Sequence, residues 1–340
     1  APRVLLVRAY LAQNEADAAQ KIADELIELT PGRPDAHVLA AGVALQRKDN
    51  ARALAASNEA VKIAPDSVQA WLAKGEVHER IGQREEARTA YRRALAVAPQ
   101  STAPAAALAR LELAAGNPAA ALDAARRAQQ APETKFEGLA LEGDVLMQLQ
   151  RPAEAVKAYE QVQAARPSTQ AVVRVYTARR AAGMAAPEQV LVDWLETQTG
   201  DVSARLVLAE HWQSTNQAPR ATAEYEALLQ KQPNNAVALN NLAWLYSVAG
   251  DRRALATARR AHELAPRAAA ITDTLGWILV NEGQLDEGVA LLREAAAAAP
   301  GAKDIQYHLA AALARQGKGP EARQILGRIL ADDAPFEGRD

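Results

Sequence analysis

The side chains best suited to acid–base or metal chemistry are scattered along this 340-residue chain. Its five histidines, His37, His78, His211, His262 and His308, lie far apart in sequence. None forms the His-Glu-x-x-His spacing that would set two imidazoles on one helical face around a metal. They read as helix-surface or groove residues. Cysteine is absent, which removes thiolate ligands, thiol nucleophiles and disulfides together. Gly317-Lys318-Gly319 has neither the following Ser or Thr nor the strand context of a phosphate loop, and reads as a turn between helices. There is no Gly-x-Ser-x-Gly nucleophile elbow. Carboxylate runs such as Glu85-Glu86 and Asp332-Asp333 read as solvated faces of amphipathic helices. The expectation is a non-catalytic protein with no cofactor and no metal.

The elements that carry these side chains follow from composition. Hydrophobic residues make up 49% of the chain but aromatic ones only 4%, and alanine, the strongest helix former, dominates the apolar fraction. Scattered β-branched residues exclude a mostly β fold. A net charge of −2 gives no electrostatic ground for binding nucleic acid or anionic lipid. No apolar run approaches the roughly 18 residues that would span a bilayer, so no direct membrane insertion is expected.

A repeat then organises the chain. Prolines recur at Pro31, Pro65, Pro99, Pro132, Pro167, Pro233, Pro266, Pro300 and Pro335. They stand 33 to 35 residues apart, with one interval of 66 where a marker near Gly200-Asp201 is missing. Ten units result, ending near residues 31, 65, 99, 132, 167, 200, 233, 266, 300 and 335. Glycines at 82, 116, 183, 250, 283 and 317 run half a period out of step. This alternation predicts two helices per unit, the first ended by a left-handed glycine and the second by proline. Between the marks, Leu239, Leu242, Ala243 and Tyr246 show helical apolar spacing. The unit at 168–200 is the weakest: it lacks its proline, and Pro187 stands near the place of a small residue. A merely divergent repeat is the expectation there, with a bend at 168–200 within a single array as the alternative. The chain opens Ala1-Pro2-Arg3, in phase with the repeat, and reads as a piece of a longer one.

Trp71, Gly75, Ala87, Tyr91, Ala94 and Pro99 resemble, at their fixed offsets, the tetratricopeptide repeat (TPR) pattern. Lys74 and His78 depart from it. Gly143, Ala155, Tyr159 and Pro167, and then Leu275, Gly276, Gly283, Ala295 and Pro300, match in part. The resemblance implies an all-α superhelical solenoid of about ten antiparallel helix pairs, its concave groove lined by the first helix of each pair.

Transferred onto this sequence, the TPR register directs Asn240, Asn241, Trp244, Asp273, Trp277 and Tyr307 into that groove, with His308 beside them. Trp244 and Trp277 hold equivalent positions in adjacent units. A ring supplies apolar area, and an amide can donate to and accept from an extended peptide backbone. The alternative is that both tryptophans fill space between helices. Equivalent positions elsewhere carry Glu76, Glu79, Asp144 and Glu210, which suggests a partly acidic groove and a basic or neutral protein or peptide partner. The carboxylate clamp of chaperone-binding TPR domains is not matched: Asn241 fits, but Asp304 and His308 stand where Lys and Arg are needed. Arginine pairs such as Arg92-Arg93, Arg126-Arg127, Arg179-Arg180, Arg252-Arg253 and Arg259-Arg260 read as mostly solvated.

The strings Leu239-Asn240-Asn241-Leu242-Ala243-Trp244, Asp273-Thr274-Leu275-Gly276-Trp277 and Tyr307-His308-Leu309-Ala310, with Gly138 to Asp144 before them, resemble the TPR-repeat lipoprotein of bacterial exosortase (PEP-CTERM) systems. That resemblance implies a protein-binding scaffold in an envelope exopolysaccharide or protein-sorting system, facing the periplasm. The lipidated cysteine of that family has no counterpart here, so its anchor is expected outside this segment. A cytoplasmic setting, the targeting arm of a larger enzyme such as a glycosyltransferase, and a carbohydrate-binding module are the other readings.

Overall fold

The computed structural model describes residues 2–331. The last proline marker, Pro335, and the Asp332-Asp333 pair lie outside the described residues. Twenty helices and no strand occur among the described residues. They fall into two compact units, one up to Pro187 and one from Glu188 onward, a division inside the irregular 168–200 segment.

The first unit contains α1 (Pro2–Ala12), α2 (Ala16–Leu29), α3 (Pro34–Gln46), α4 (Asn50–Ile63), α5 (Val68–Arg80), α6 (Arg84–Val97), α7 (Thr102–Ala114), α8 (Pro118–Arg127), α9 (Lys135–Gln148), α10 (Pro152–Ala165) and α11 (Thr169–Ala181). The second contains α12 (Gln189–Thr197), α13 (Val202–Ser214), α14 (Ala218–Lys231), α15 (Ala236–Val248), α16 (Ala254–Leu264), α17 (Ala269–Asn281), α18 (Leu285–Ala298), α19 (Lys303–Arg315) and α20 (Gly319–Ile329). Odd-numbered helices are the first of each pair. They also touch one another in succession, α3 to α5, α7 and α9 in the first unit and α15 to α17 and α19 in the second, so each unit has a face built of first helices.

The expected glycine stops are present. Gly82, Gly116, Gly183, Gly250, Gly283 and Gly317 all have positive φ, between 64 and 83°. The structure extends the series to every repeat: Asn14, Lys48, Gln150 and Asn216 fill the same left-handed position without being glycine. Helix starts are fixed by side chains whose oxygens accept orphan backbone N–H groups, Asp49 from Arg52, Ser67 from Ala70, Ser168 from Ala171, Asp201 from Ala204 and Asn235 from Ala238.

The small residues of the pattern are needed for close approach. A Cβ on Gly75 would stand 2.3 Å from Cε1 of Tyr91, and one on Gly143 would stand 2.3 Å from Cε1 of Tyr159. In the pair α17–α18 the ring is replaced by Leu292 and the backbones themselves converge: a Cβ on Gly288 would meet the Gly276 carbonyl oxygen at 2.7 Å. Alanine and leucine fill the remaining core, with Tyr91, Tyr225, Leu208, Leu228, Leu279 and Leu313 almost fully buried.

Polar locks join neighbouring repeats. Glu112 is 1% exposed, yet it accepts from Arg88 at 2.7 and 3.1 Å and from Asn117 at 2.9 Å. The Arg88 hydrogen bond holds its carboxyl below the usual range against the opposing effect of burial. Several arginines expected to be merely solvated also bridge helices, Arg126 to Glu142, Arg179 to Glu160, Arg253 to Glu226 and Arg259 to Glu287.

Candidate functional site

Helices α15, α17 and α19 bring five of the expected residues into one cluster. Nδ1 of His308, on α19, donates to Oδ2 of Asp273, on α17, at 2.8 Å. The His308 ring stacks on Trp277 with centroids 4.6 Å apart and 16° between planes. Trp244 meets the same imidazole at 5.9 Å and 34°, and Tyr307 at 6.0 Å. One imidazole therefore ties together aromatic rings from three successive first helices.

The depth of these groups differs from the sequence expectation. Asp273 is 7% and His308 4% exposed, so they form a buried support and not a contact layer. The reason is the His308–Asp273 hydrogen bond, which satisfies Oδ2 of the carboxylate and lets the indoles cover the pair, although Oδ1 stays buried without a donor. Trp244, Trp277 and Tyr307 are half-buried and form the layer above. Trp277 is held from two sides. It packs against the core formed by Val280, Leu292, Leu309 and Leu313, and the Arg315 guanidinium lies 4.9 Å from its ring centre. Nη1 of Arg315 is itself anchored to Oδ1 of Asn281 at 2.7 Å.

Asn240 and Asn241 extend the cluster toward α13. Asn241 Nδ2 donates to the Tyr225 hydroxyl at 2.9 Å, and that hydroxyl donates to Gln213 Oε1 at 3.0 Å. Burial pushes the Tyr225 hydroxyl up to about 12. Asn240 Nδ2 reaches only Asn241 Oδ1, at 3.4 Å.

The acidic groove residues divide into two kinds. In the first unit, Glu79 accepts from the Tyr91 hydroxyl at 2.8 Å and from both terminal nitrogens of Arg110. Asp144 accepts from Tyr159 at 2.7 Å and from Arg174 at 2.8 Å. In both, the arginine comes from the next first helix, so this expected acidity is neutralised locally. Glu76 and Glu210 have no such arginine among the described residues. Glu76 borders a niche of about 280 Å³ floored by Val38, Leu72 and Ala107.

The remaining histidines on first helices are also structural in geometry. His37 donates to the Pro31 carbonyl at 3.0 Å and His78 to Gln83 Oε1 at 2.6 Å. His211 lies 3.2 Å from the Glu188 carboxylate. All three are buried, not on the helix surface as expected. Their burial follows from placement on first helices packed on both sides. Among the described residues no group of three His, Asp or Glu is gathered for a metal, and no helix is long and apolar enough to cross a membrane.

Among solved structures, the thermophilic TPR protein TTC0263 of Thermus thermophilus is 18% identical, covering 52% of this chain and 97% of its own, with a TM-score of 0.41. MamA is 15% identical, covering 46% and 91%, with a TM-score of 0.37. Naa15/Naa10 bound to HypK-THB is 17% identical, covering 99% and 69%, with a TM-score of 0.30. No curated protein matches the sequence. Tetratricopeptide repeat models match residues 4–68, 68–111, 136–169, 224–290 and 279–337, omitting the stretch around the irregular sixth repeat. With the helix pairs, the recurring left-handed stops and the glycine–tyrosine contacts, these matches show that the chain belongs to the tetratricopeptide repeat family.

Proposed function

We propose that this chain is a non-catalytic scaffold that binds an extended segment of a partner protein along the first-helix face of its second unit. One observation carries the reading: Trp244, Trp277 and Tyr307 form a half-buried aromatic surface on three successive helices, held by the buried Asp273–His308 pair. Such a surface offers apolar area whose geometry is already fixed, so little ordering entropy is lost on binding. Asn240 and Asn241 add amide groups at its edge. The Asp273–His308 pair does not suit catalysis, since Nε2 of the imidazole is itself buried and a general base must reach a substrate proton.

The setting we propose is the bacterial envelope, in an exopolysaccharide or protein-sorting system, on the resemblance of the Asn240–Trp244, Asp273–Trp277 and Tyr307–Ala310 strings. Affinity capture from separated envelope and cytosolic fractions tests both statements. Wild-type protein should retain a partner from the envelope fraction, and Trp244→Leu should lose it while keeping its melting temperature. Capture from the cytosol alone overturns the setting. Capture indifferent to Trp244→Leu, and to Tyr307→Leu as a second variant, overturns the binding face.

A further inference from the structure

On the first-helix face of the second unit, several acceptor oxygens are left without a donor. Glu210, on α13, holds the register position that Trp244 and Trp277 hold in the next two repeats. Its side chain keeps solvent contact but makes no ion pair or hydrogen bond among the described residues. Partial loss of hydration raises its carboxyl above the usual range. It lies within electrostatic reach of Tyr225, the hydroxyl that binds Asn241. Farther along the same face, Oδ1 of Asn240 and Oδ1 of Asp273 are buried without a donor.

The first unit shows what is missing. There Asp144, at the same register position, is met by Arg174 from the following repeat, and Glu79, one turn farther along its helix, by Arg110, while Glu76 is left like Glu210 without an arginine. In the second unit no cation of the described residues meets Glu210. The chain also supplies an internal instance of the missing interaction: Arg315 lays its guanidinium on Trp277. No Lys or Arg of the described residues covers Trp244 in that way. A half-buried indole and an unpaired carboxylate at the same register position of adjacent repeats, linked through Tyr225 and Asn241, offer a cation the ring face and the charge together.

We infer that the partner segment presents a lysine or arginine side chain to this face, its cation placed between the Glu210 carboxylate and the Trp244 ring. The inference rests on the reading of this face as a peptide-binding surface, and it adds the charge of the ligand. An acidic segment would instead set its own charge against the Glu210 carboxylate.

The test uses a cellulose-bound array of random decapeptides in which one central position is arginine, lysine, citrulline, norleucine or glutamate. It is probed with the wild-type chain, Glu210→Gln and Trp244→Leu. Wild type should favour arginine or lysine by about tenfold over citrulline, the neutral isostere of arginine. Glu210→Gln should abolish that preference without lowering the melting temperature, because it removes an uncompensated charge. Peptides that bind in a Trp244-dependent manner, but equally well with citrulline or glutamate, would overturn the inference and leave the peptide-binding face standing. If no peptide binds in a Trp244-dependent manner, both statements fail.

Discussion

Trp277→Ala and Trp244→Ala should separate sharply in stability, although the two residues are equivalent in sequence register. Truncating a buried tryptophan to alanine costs about 3–5 kcal/mol. Trp277 is half-buried, like Trp244, which cuts its burial contribution to about 2 kcal/mol. It also loses the His308 stack at 4.6 Å, worth about 0.5–1.5 kcal/mol, and the Arg315 contact at 4.9 Å, worth about 0.5–1 kcal/mol at a surface. A total of about 3–4.5 kcal/mol follows. Trp244 touches His308 only obliquely at 5.9 Å and carries no arginine, so only its burial contribution of about 2 kcal/mol is expected. For a unit of this size each kcal/mol moves the midpoint by roughly 2–4 °C. Far-ultraviolet circular dichroism should therefore show a fall of about 6–18 °C for Trp277→Ala and about 4–8 °C for Trp244→Ala. Near-ultraviolet dichroism should report loss of fixed aromatic packing only in the first. Equal shifts in the two variants, or a fall below about 2 °C for Trp277→Ala, would refute the claim that the stack on His308 holds these repeats together.

Arg88→Met should cost about 3–5 kcal/mol at neutral pH in urea titrations, because it strands the Glu112 carboxylate at 1% exposure; an effect below 1 kcal/mol would show that water reaches the site. Since the Glu112 carboxyl is held below its usual value, its stabilising contribution is present above the ordinary carboxylate range and disappears as pH falls through the lowered folded-state value. The wild-type advantage over Arg88→Met should accordingly shrink in acid, and a pH-independent gap would contradict the assignment. Gln150→Gly should stabilise the chain by about 0.5–1 kcal/mol, since the left-handed position costs a side-chain-bearing residue about 1–2 kcal/mol and the greater unfolded-state entropy of glycine offsets part of that gain. A lowered melting temperature would show that the Gln150 side chain contributes more than its backbone costs.

The period of the chain was legible because proline and glycine act through their own backbones, so their spacing reports helix ends directly. The same period could have located Asn14, Lys48, Gln150 and Asn216, which lie one or two repeat lengths from marked glycines, but their residue types carry no obligatory signal for positive φ. At the candidate site, register grouped Trp244, Asp273, Trp277, Tyr307 and His308 on one face. It could not reveal that Asp273 and His308 are buried, because that depends on two indoles from different repeats closing over a pair 35 residues apart. Glu79 and Asp144 were legible as acids and not as neutralised acids: the arginines that meet them stand 31 and 30 residues onward, a distance with meaning only once the repeats are stacked. Glu112 shows the limit of reading carboxylates as solvated faces, since its environment is set by Arg88 from the preceding repeat.

The polar locks within each unit reach no farther than the next repeat. Glu112 to Arg88, Glu79 to Arg110, Asp144 to Arg174, Asp273 to His308 and Arg293 to Glu321 span 24 to 35 residues. A ribosome extending the chain at about 5–20 residues per second needs roughly 2–7 seconds to deliver one 34-residue repeat. Each helix pair thus waits only that long, after leaving the exit tunnel, for the partner side chain that completes it. No lock requires the far end of its unit to have been synthesised. The stretch of nascent chain exposing unpaired acids and bare apolar surface stays about one repeat long throughout translation, however many repeats follow.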